Sequence, residues 1–219
     1  MATEITVRGS FSEFQQPERA TVHAAVDFEG PDMQPVYDTV ALGLEAVTAS
    51  ITPMVDGPVT WWSAGQLRTS SHRPWNQDGK QLPLVHRAGV EVEVKFRDFA
   101  ALSHWVGQHV VGTPGFRVSR VEWALTEVRR DQLRAQACTR AVQDAVERAQ
   151  QYADALGLGA VQPVAIADAG MLDAQLRPDT NEGQAFVRAA SAGHGAGIVE
   201  LVPEDIEVTA AVDARFVAG

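Results

Sequence analysis

From Arg129 to Gly159 the chain reads RRDQLRAQACTRAVQDAVERAQQYADALGLG, and Ala137, Ala141, Ala145, Ala149 and Ala153 recur within it at every fourth position. On an α-helix that spacing stacks the alanines into a nearly continuous ridge along one side. Leu133, Cys138, Val142, Tyr152 and Leu156 flank the ridge and widen the apolar stripe. The other side is charged, with Arg140, Asp144 and Arg148 spaced for i,i+4 pairing. Gly157 and Gly159 supply the stop, because glycine takes the left-handed cap conformation without a steric penalty. Methyl groups along the seam let the helix axis lie close to whatever it covers. An alanine ridge serves either as a seam between two helices or as the face a helix lays on its own sheet. The second is the commoner use, and it is the one expected here.

Composition matters here for what it excludes. The chain has 219 residues, enough to bury a substantial core. A net charge of -10 speaks against nucleic acid as a partner, which calls for a basic patch. No apolar run approaches the roughly 20 residues that span a bilayer. The opening MATEITVRGS has neither the basic nor the apolar region of a signal peptide. The single cysteine, Cys138, excludes an intramolecular disulfide, and on the helical stripe it reads as a small buried apolar residue. The expected location is the cytoplasm.

Period-two alternation marks the strands. Thr3, Ile5 and Val7 form a short one that Gly9 and Ser10 interrupt, leaving Phe11 and Phe14 in the turn region. Ala20, Val22, Ala24, Val26 and Phe28 share a face of a second, with His23 on its solvated side. Val36, Val40, Leu44, Val47 and Ile51 then mark a helix opened by Asp32 and ending before Pro53. Asp56-Gly57-Pro58 turns the chain into a strand over 59–70. The adjacent Trp61 and Trp62 must point to opposite faces there.

A hairpin-like connection over 71–82 leads to the strand of Val90, Val92, Val94 and Phe96. Asp98 caps a helix with Phe99, Leu102, Val106 and Val110 on one face. Val121, Trp123 and Leu125 point inward from the strand before the alanine helix. After that helix, residues 161–167 form a strand whose Pro163 calls for an edge or a bulge. Residues 168–203 lose all periodicity and read as a mobile insertion with one short helix near Gln184–Ala190. Ile206, Val208, Ala210, Val212, Ala214 and Phe216 close the chain as a strand.

The order is β-β-α-β-β-α-β-α-β-β, with a faint repeat because a helix lies between strands in both 19–70 and 90–127. The expected fold class is α+β, a single domain over 1–219. It holds one mixed, largely antiparallel sheet with three helices packed on one face.

Four segments, in order, resemble the SIMPL-domain family. Val7-Arg8-Gly9 matches its opening V-x-G strand, and Gly89–Phe99 (GVEVEVKFRDF) its central strand and Asp-started helix. Ala141–Gly157 (AVQDAVERAQQYADALG) resembles its A-x3-A-x3-A-x3-A-x3-G helix. Pro203–Phe216 (PEDIEVTAAVDARF) is similar to its closing strand, P-x-x-I-x-V-x-A-x-V-x-x-x-F. The resemblance implies an α+β fold, and for some members large ring-like homo-oligomers. It carries over no catalytic residues. One eukaryotic relative is described as a signalling adaptor, and several bacterial relatives are envelope antigens. The absence of an export signal departs from those bacterial members.

Candidate chemistry is sparse. No pair among His23, His72, His86, His104, His109 and His194 has helical metal-site spacing, and no Cys-x-x-Cys occurs. The glycine run 193–197 leads toward Pro203 rather than into a helix, unlike a phosphate cradle. Ser70, Ser71, His72 and Asp78 lack a nucleophile elbow and read as polar hairpin residues. Neither a metal nor a cofactor is expected. Two readings follow. The first is a non-catalytic self-assembling or adaptor protein whose interaction surface includes Trp61, Trp62, Phe11 and Phe14, and which forms a homo-oligomer. The alternative is a small-molecule-binding protein or enzyme with a pocket between the sheet and the 168–203 loop.

Overall fold

The computed structural model describes residues 2–75, 77, 81–172 and 201–219. Outside them lie most of the 168–203 insertion, including the helix expected near Gln184–Ala190, the glycine run 193–197 with His194, and also Asp78. The described residues form eight strands and three helices, an α+β fold. They divide into two compact units. One comprises residues 2–15, 126–172 and 205–219, and the other residues 16–125 and 201–204.

The first unit is built on the alanine helix, α3 (Glu127–Ala155). Thr126 caps it by accepting from the Arg129 N–H at 3.3 Å, and Glu127 complements the positive end of the dipole. Gly157, at φ +69°, ends it. Leu158 N–H reaches Ala153 O at 2.9 Å and Gly157 N–H reaches Asp154 O at 3.0 Å, the paired bonds of a Schellman cap. Beneath the helix lies an antiparallel sheet in the order β1 (Thr3–Gln15), β8 (Ile206–Ala218), β7 (Gln162–Asp168). Ala141, Ala145, Ala149 and Ala153 pack on Ile5, Val7, Val212, Ala214, Phe216 and Ala218, all buried.

Strand β1 does not stop at Gly9. It runs through to Gln15, so Phe11 and Phe14 are strand residues and not turn residues. Gly9 is where the helix comes closest to the strand. A Cβ there would collide with Ala141 O and lie 2.6 Å from Ala145 N. The glycine that looks like a breaker is therefore what permits the close approach. Ser10 N–H donates to Asp144 at 2.9 Å and ties the strand to the helix just beyond that point. The same closeness keeps the buried stripe narrow. Cys138, expected to be buried, is exposed, as are Tyr152 and Leu156.

The second unit holds β2 (Arg19–Gly30), α1 (Met33–Ile51), β3 (Val59–Ala64), β4 (Arg68–His72), β5 (Val85–Phe96), α2 (Phe99–Gly112) and β6 (Phe116–Ala124). The strand expected over 59–70 is two strands, both paired to β5. They are separated by the link at Gly65, whose N–H reaches Glu91 O at 2.8 Å. The sheet order is β3-β5-β2-β6. Every named strand pair is antiparallel. The strand-helix-strand links do join parallel strands, but β5 sits between β2 and β3, and β2 between β5 and β6. This interleaving of two β-α-β repeats is a split arrangement of the ferredoxin-like kind. The strands thus form two sheets where the periodicity suggests one. Alternation assigns a strand its inner face but not its partner.

Each sheet carries helices on one face. In the second unit α1 contributes Val36, Val40, Val47 and Ile51, and α2 contributes Leu102, Trp105 and Val106. They pack on Ala20, Val22, Val26, Val90, Val92, Val94 and Phe96. Each such valine, withdrawn from water, stabilises the fold by about 1.5–3 kcal/mol before entropy is counted. Asp98 caps α2, accepting from Ala100 and Ala101 at 2.9 and 3.0 Å. Asp32 sits at the N-cap of α1 but makes no side-chain cap bond.

Candidate functional site

In the second unit, the sheet face away from α1 and α2 carries a ladder of polar side chains around one indole. A bulge in β3 sets it up. Val59 pairs with Phe96, but the register then shifts, so Trp61 pairs with Lys95 and Trp62 with Val94. Strict alternation from buried Val59 would have put Trp61 in the core. The extra residue, Thr60, turns Trp62 inward against the core and Trp61 outward. Trp61 remains 47% exposed, with Lys95 Nζ 5.9 Å from its ring centroid, a cation–π contact.

Beside that pair stands His23, which is not solvated as its alternation suggests but is mostly buried. Its Nδ1 lies 3.2 Å from Glu93 and its Nε2 3.5 Å from Glu122, the latter without hydrogen-bond geometry. Farther along, Asp27 accepts from Arg117 Nε at 2.6 Å and Arg87 at 3.3 Å. The result is a flat face of interleaved opposite charges with an aromatic near one edge.

Phe11 and Phe14 belong to the first unit. Phe11 is half-buried against the alanine core, while Phe14, three residues on and of opposite parity, is 66% exposed. Of the four aromatic residues singled out in the sequence, Trp61 and Phe14 are the exposed ones. They lie in different units.

Two polar clusters escape the sequence reading. On the first unit's sheet, Asp213 is nearly buried and accepts from Arg8 Nε at 2.7 Å, Arg8 Nη2 at 3.2 Å and Gly170 N–H at 2.6 Å. Hydrogen bonding from Arg8 holds its carboxyl below the usual range. Burial opposes that shift, and the Gly170 N–H and the charge of Arg8 add to it. Gly170, at φ +87°, can bend the turn after β7 back onto this carboxylate. In the second unit, His109 is buried against Trp105 and Phe116 and bonds Ser50 and Thr113. It replaces Val110, 47% exposed, on the inner face of α2. The i,i+4 spacing of Trp105, His109 and Thr113 was the available signal.

Ser71 Oγ lies 2.7 Å from His86 Nδ1, so the serine meets a cross-strand histidine and not His72. A shallow apolar groove of about 410 Å³ runs along Gly30, Pro31, Pro74, Leu82, Pro83 and Leu84. The pocket envisaged between sheet and insertion falls on residues outside those described. Among the described residues, no three His, Cys, Asp or Glu side chains converge on a metal position. No described helix is long and apolar enough to cross a membrane.

No curated protein matches the chain. A family model does, SIMPL, described as a protein of unknown function (DUF541), over residues 5–216. The matched span takes in both units, from the first buried residue of β1 to the Phe216 that packs beneath the alanine ridge. The chain belongs to the SIMPL family.

Proposed function

We propose that this chain is a non-catalytic assembly or adaptor unit, working through protein contacts, with a second copy of itself as the first partner. The observation that carries the reading is Trp61, 47% exposed on the helix-free face of the five-stranded sheet. An exposed aromatic anchor bordered by charged side chains is how a protein contact surface concentrates its binding energy. Phe14 offers a second exposed aromatic on the other unit. One family model spans both units, which supports treating 1–219 as one functional domain. The free thiol of Cys138, exposed on α3, suits a reducing compartment, and we place the protein in the cytoplasm.

Light scattering at micromolar concentration tests the reading. A mass above the 23.6 kDa of one chain is expected, rising with salt as the net charge of -10 is screened. Trp61→Ser should dissociate the assembly and leave the subunit folded. Trp62→Ser should instead destabilise the subunit, because that indole packs on the core. A 23.6 kDa monomer in low and physiological salt alike would sink the proposal. It would leave small-molecule binding as the better reading.

A further inference from the structure

Where α1, α2 and the turn into β6 meet, half-buried Ser50 and the buried Trp105, His109 and Thr113 form one polar cluster with a self-consistent pattern of protons. Ser50 Oγ donates its one hydrogen to Val47 O at 2.6 Å and accepts from Trp105 Nε1 at 2.9 Å. With its proton committed, it meets His109 Nε2, 2.8 Å away, as an acceptor, so Nε2 carries hydrogen. His109 Nδ1 is then bare and accepts a hydrogen bond from the Thr113 hydroxyl, 2.8 Å away. With the imidazole neutral, both ring nitrogens are satisfied without any group having to turn.

We infer that His109 is a proton-sensitive joint, holding α1 to α2 and to the turn into β6 when neutral and releasing that hold when protonated. A second proton, on Nδ1, would turn an acceptor into a donor facing the Thr113 hydroxyl. It would also place a charge in a buried site. There the dipole of the last turn of α2 is set against the loss of solvation, with no carboxylate among the ring's bonded and stacked neighbours. The ring's neighbours are Ser50 from α1, Trp105 and Thr113 from α2 and its cap, and Phe116 from β6, none of them charged. Trp105 and Phe116 meet the imidazole at 63° and 40°, rather than stacking flat on it. Burial lowers the pKa of His109. The unfolded chain, with an ordinary imidazole near about 6.5, takes up the proton first as pH falls. Stability is therefore full above that value and declines below it, until the folded form itself protonates.

The joint is independent of the assembly reading and is tested on the whole chain. Denaturation of the wild type and of His109→Gln is compared at about pH 7.5 and about pH 5.5. The folded-to-unfolded ratio of the wild type should fall by up to about tenfold more than that of the variant, the limit for one proton over that interval. Equal pH dependence would overturn the inference. If the variant does not fold, imidazole nitrogen shifts of the wild type decide. A neutral Nε2–H ring in folded protein at about pH 6 supports the joint, and a doubly protonated ring there refutes it.

Discussion

Gly9 and Gly107 make opposite demands, although both lie inside regular elements. At Gly9 an added methyl would strike the backbone of α3, which cannot yield as a flexible side chain does. Gly9→Ala should therefore cost roughly 3 kcal/mol or more, at the upper end of overpacking penalties. At Gly107, in the middle of α2, a Cβ meets nothing within 4 Å. Gly107→Ala should stabilise the helix by about 0.5–1 kcal/mol. Urea midpoints of both variants check the pair, and a mild effect at Gly9 would mean that α3 does not press on β1. Asp213 makes the complementary case for a charged residue. Asp213→Asn leaves Arg8 with a weaker acceptor and should cost roughly 1–3 kcal/mol near neutral pH. The depressed carboxyl pKa stabilises the fold fully above the ordinary value near about 4. That gain is lost as pH falls through the folded pKa. The gap between wild type and variant should thus close toward about pH 3, and a gap that stays constant would mean the carboxylate's charge is not what matters.

Among the elements, the alanine ridge most directly ties sequence to packing. Ala145→Leu forces a large side chain between α3 and β1 and should cost roughly 1–3 kcal/mol. Gln150 looks like a neutral control in the sequence. Its side chain, however, accepts from Val161 N–H at 3.0 Å, so Gln150→Leu should itself cost about 1 kcal/mol. Glu147, exposed on the same helix, is the better control, with a change within about 0.5 kcal/mol. If Ala145→Leu unfolds with Glu147→Leu, the ridge is not the buried face. Residues that repeat one local rule were legible: the ridge, the Gly157 stop, the Asp98 cap, and the alternation of β5 and β8. Pro163 was also read correctly, on an edge strand and at a register shift. What stayed hidden depends on residues distant in sequence. Gly9 reads as a breaker until α3, more than a hundred residues later, is laid over it. The face of Trp61 rests on a single-residue bulge, and the burial of His109 on a serine from another helix.

For the whole molecule, the path of the chain makes the two units unequal. The first draws β1 from one end of the sequence and β7 and β8 from the other, so its sheet closes only after the intervening chain has been made. Long-range pairing of that sort carries a loop-closure cost before any contact rewards it. The second unit is nearly continuous, running from 16 to 125, with 201–204 as its other described part. Both β-α-β repeats and the valine-rich core lie within that stretch, and among the described residues Leu201 is the one core-packing side chain contributed from outside it. A fragment of residues 16–125, about 110 residues long, is of a size that folds alone. It should unfold cooperatively in urea. All five tryptophans, Trp61, Trp62, Trp75, Trp105 and Trp123, fall inside it, so indole fluorescence reports on this unit alone. The fragment's emission should therefore match that of the intact protein, with a lower urea midpoint from the loss of Leu201. A fragment with red-shifted emission and no cooperative transition would mean that the five-stranded sheet depends on the first unit to fold.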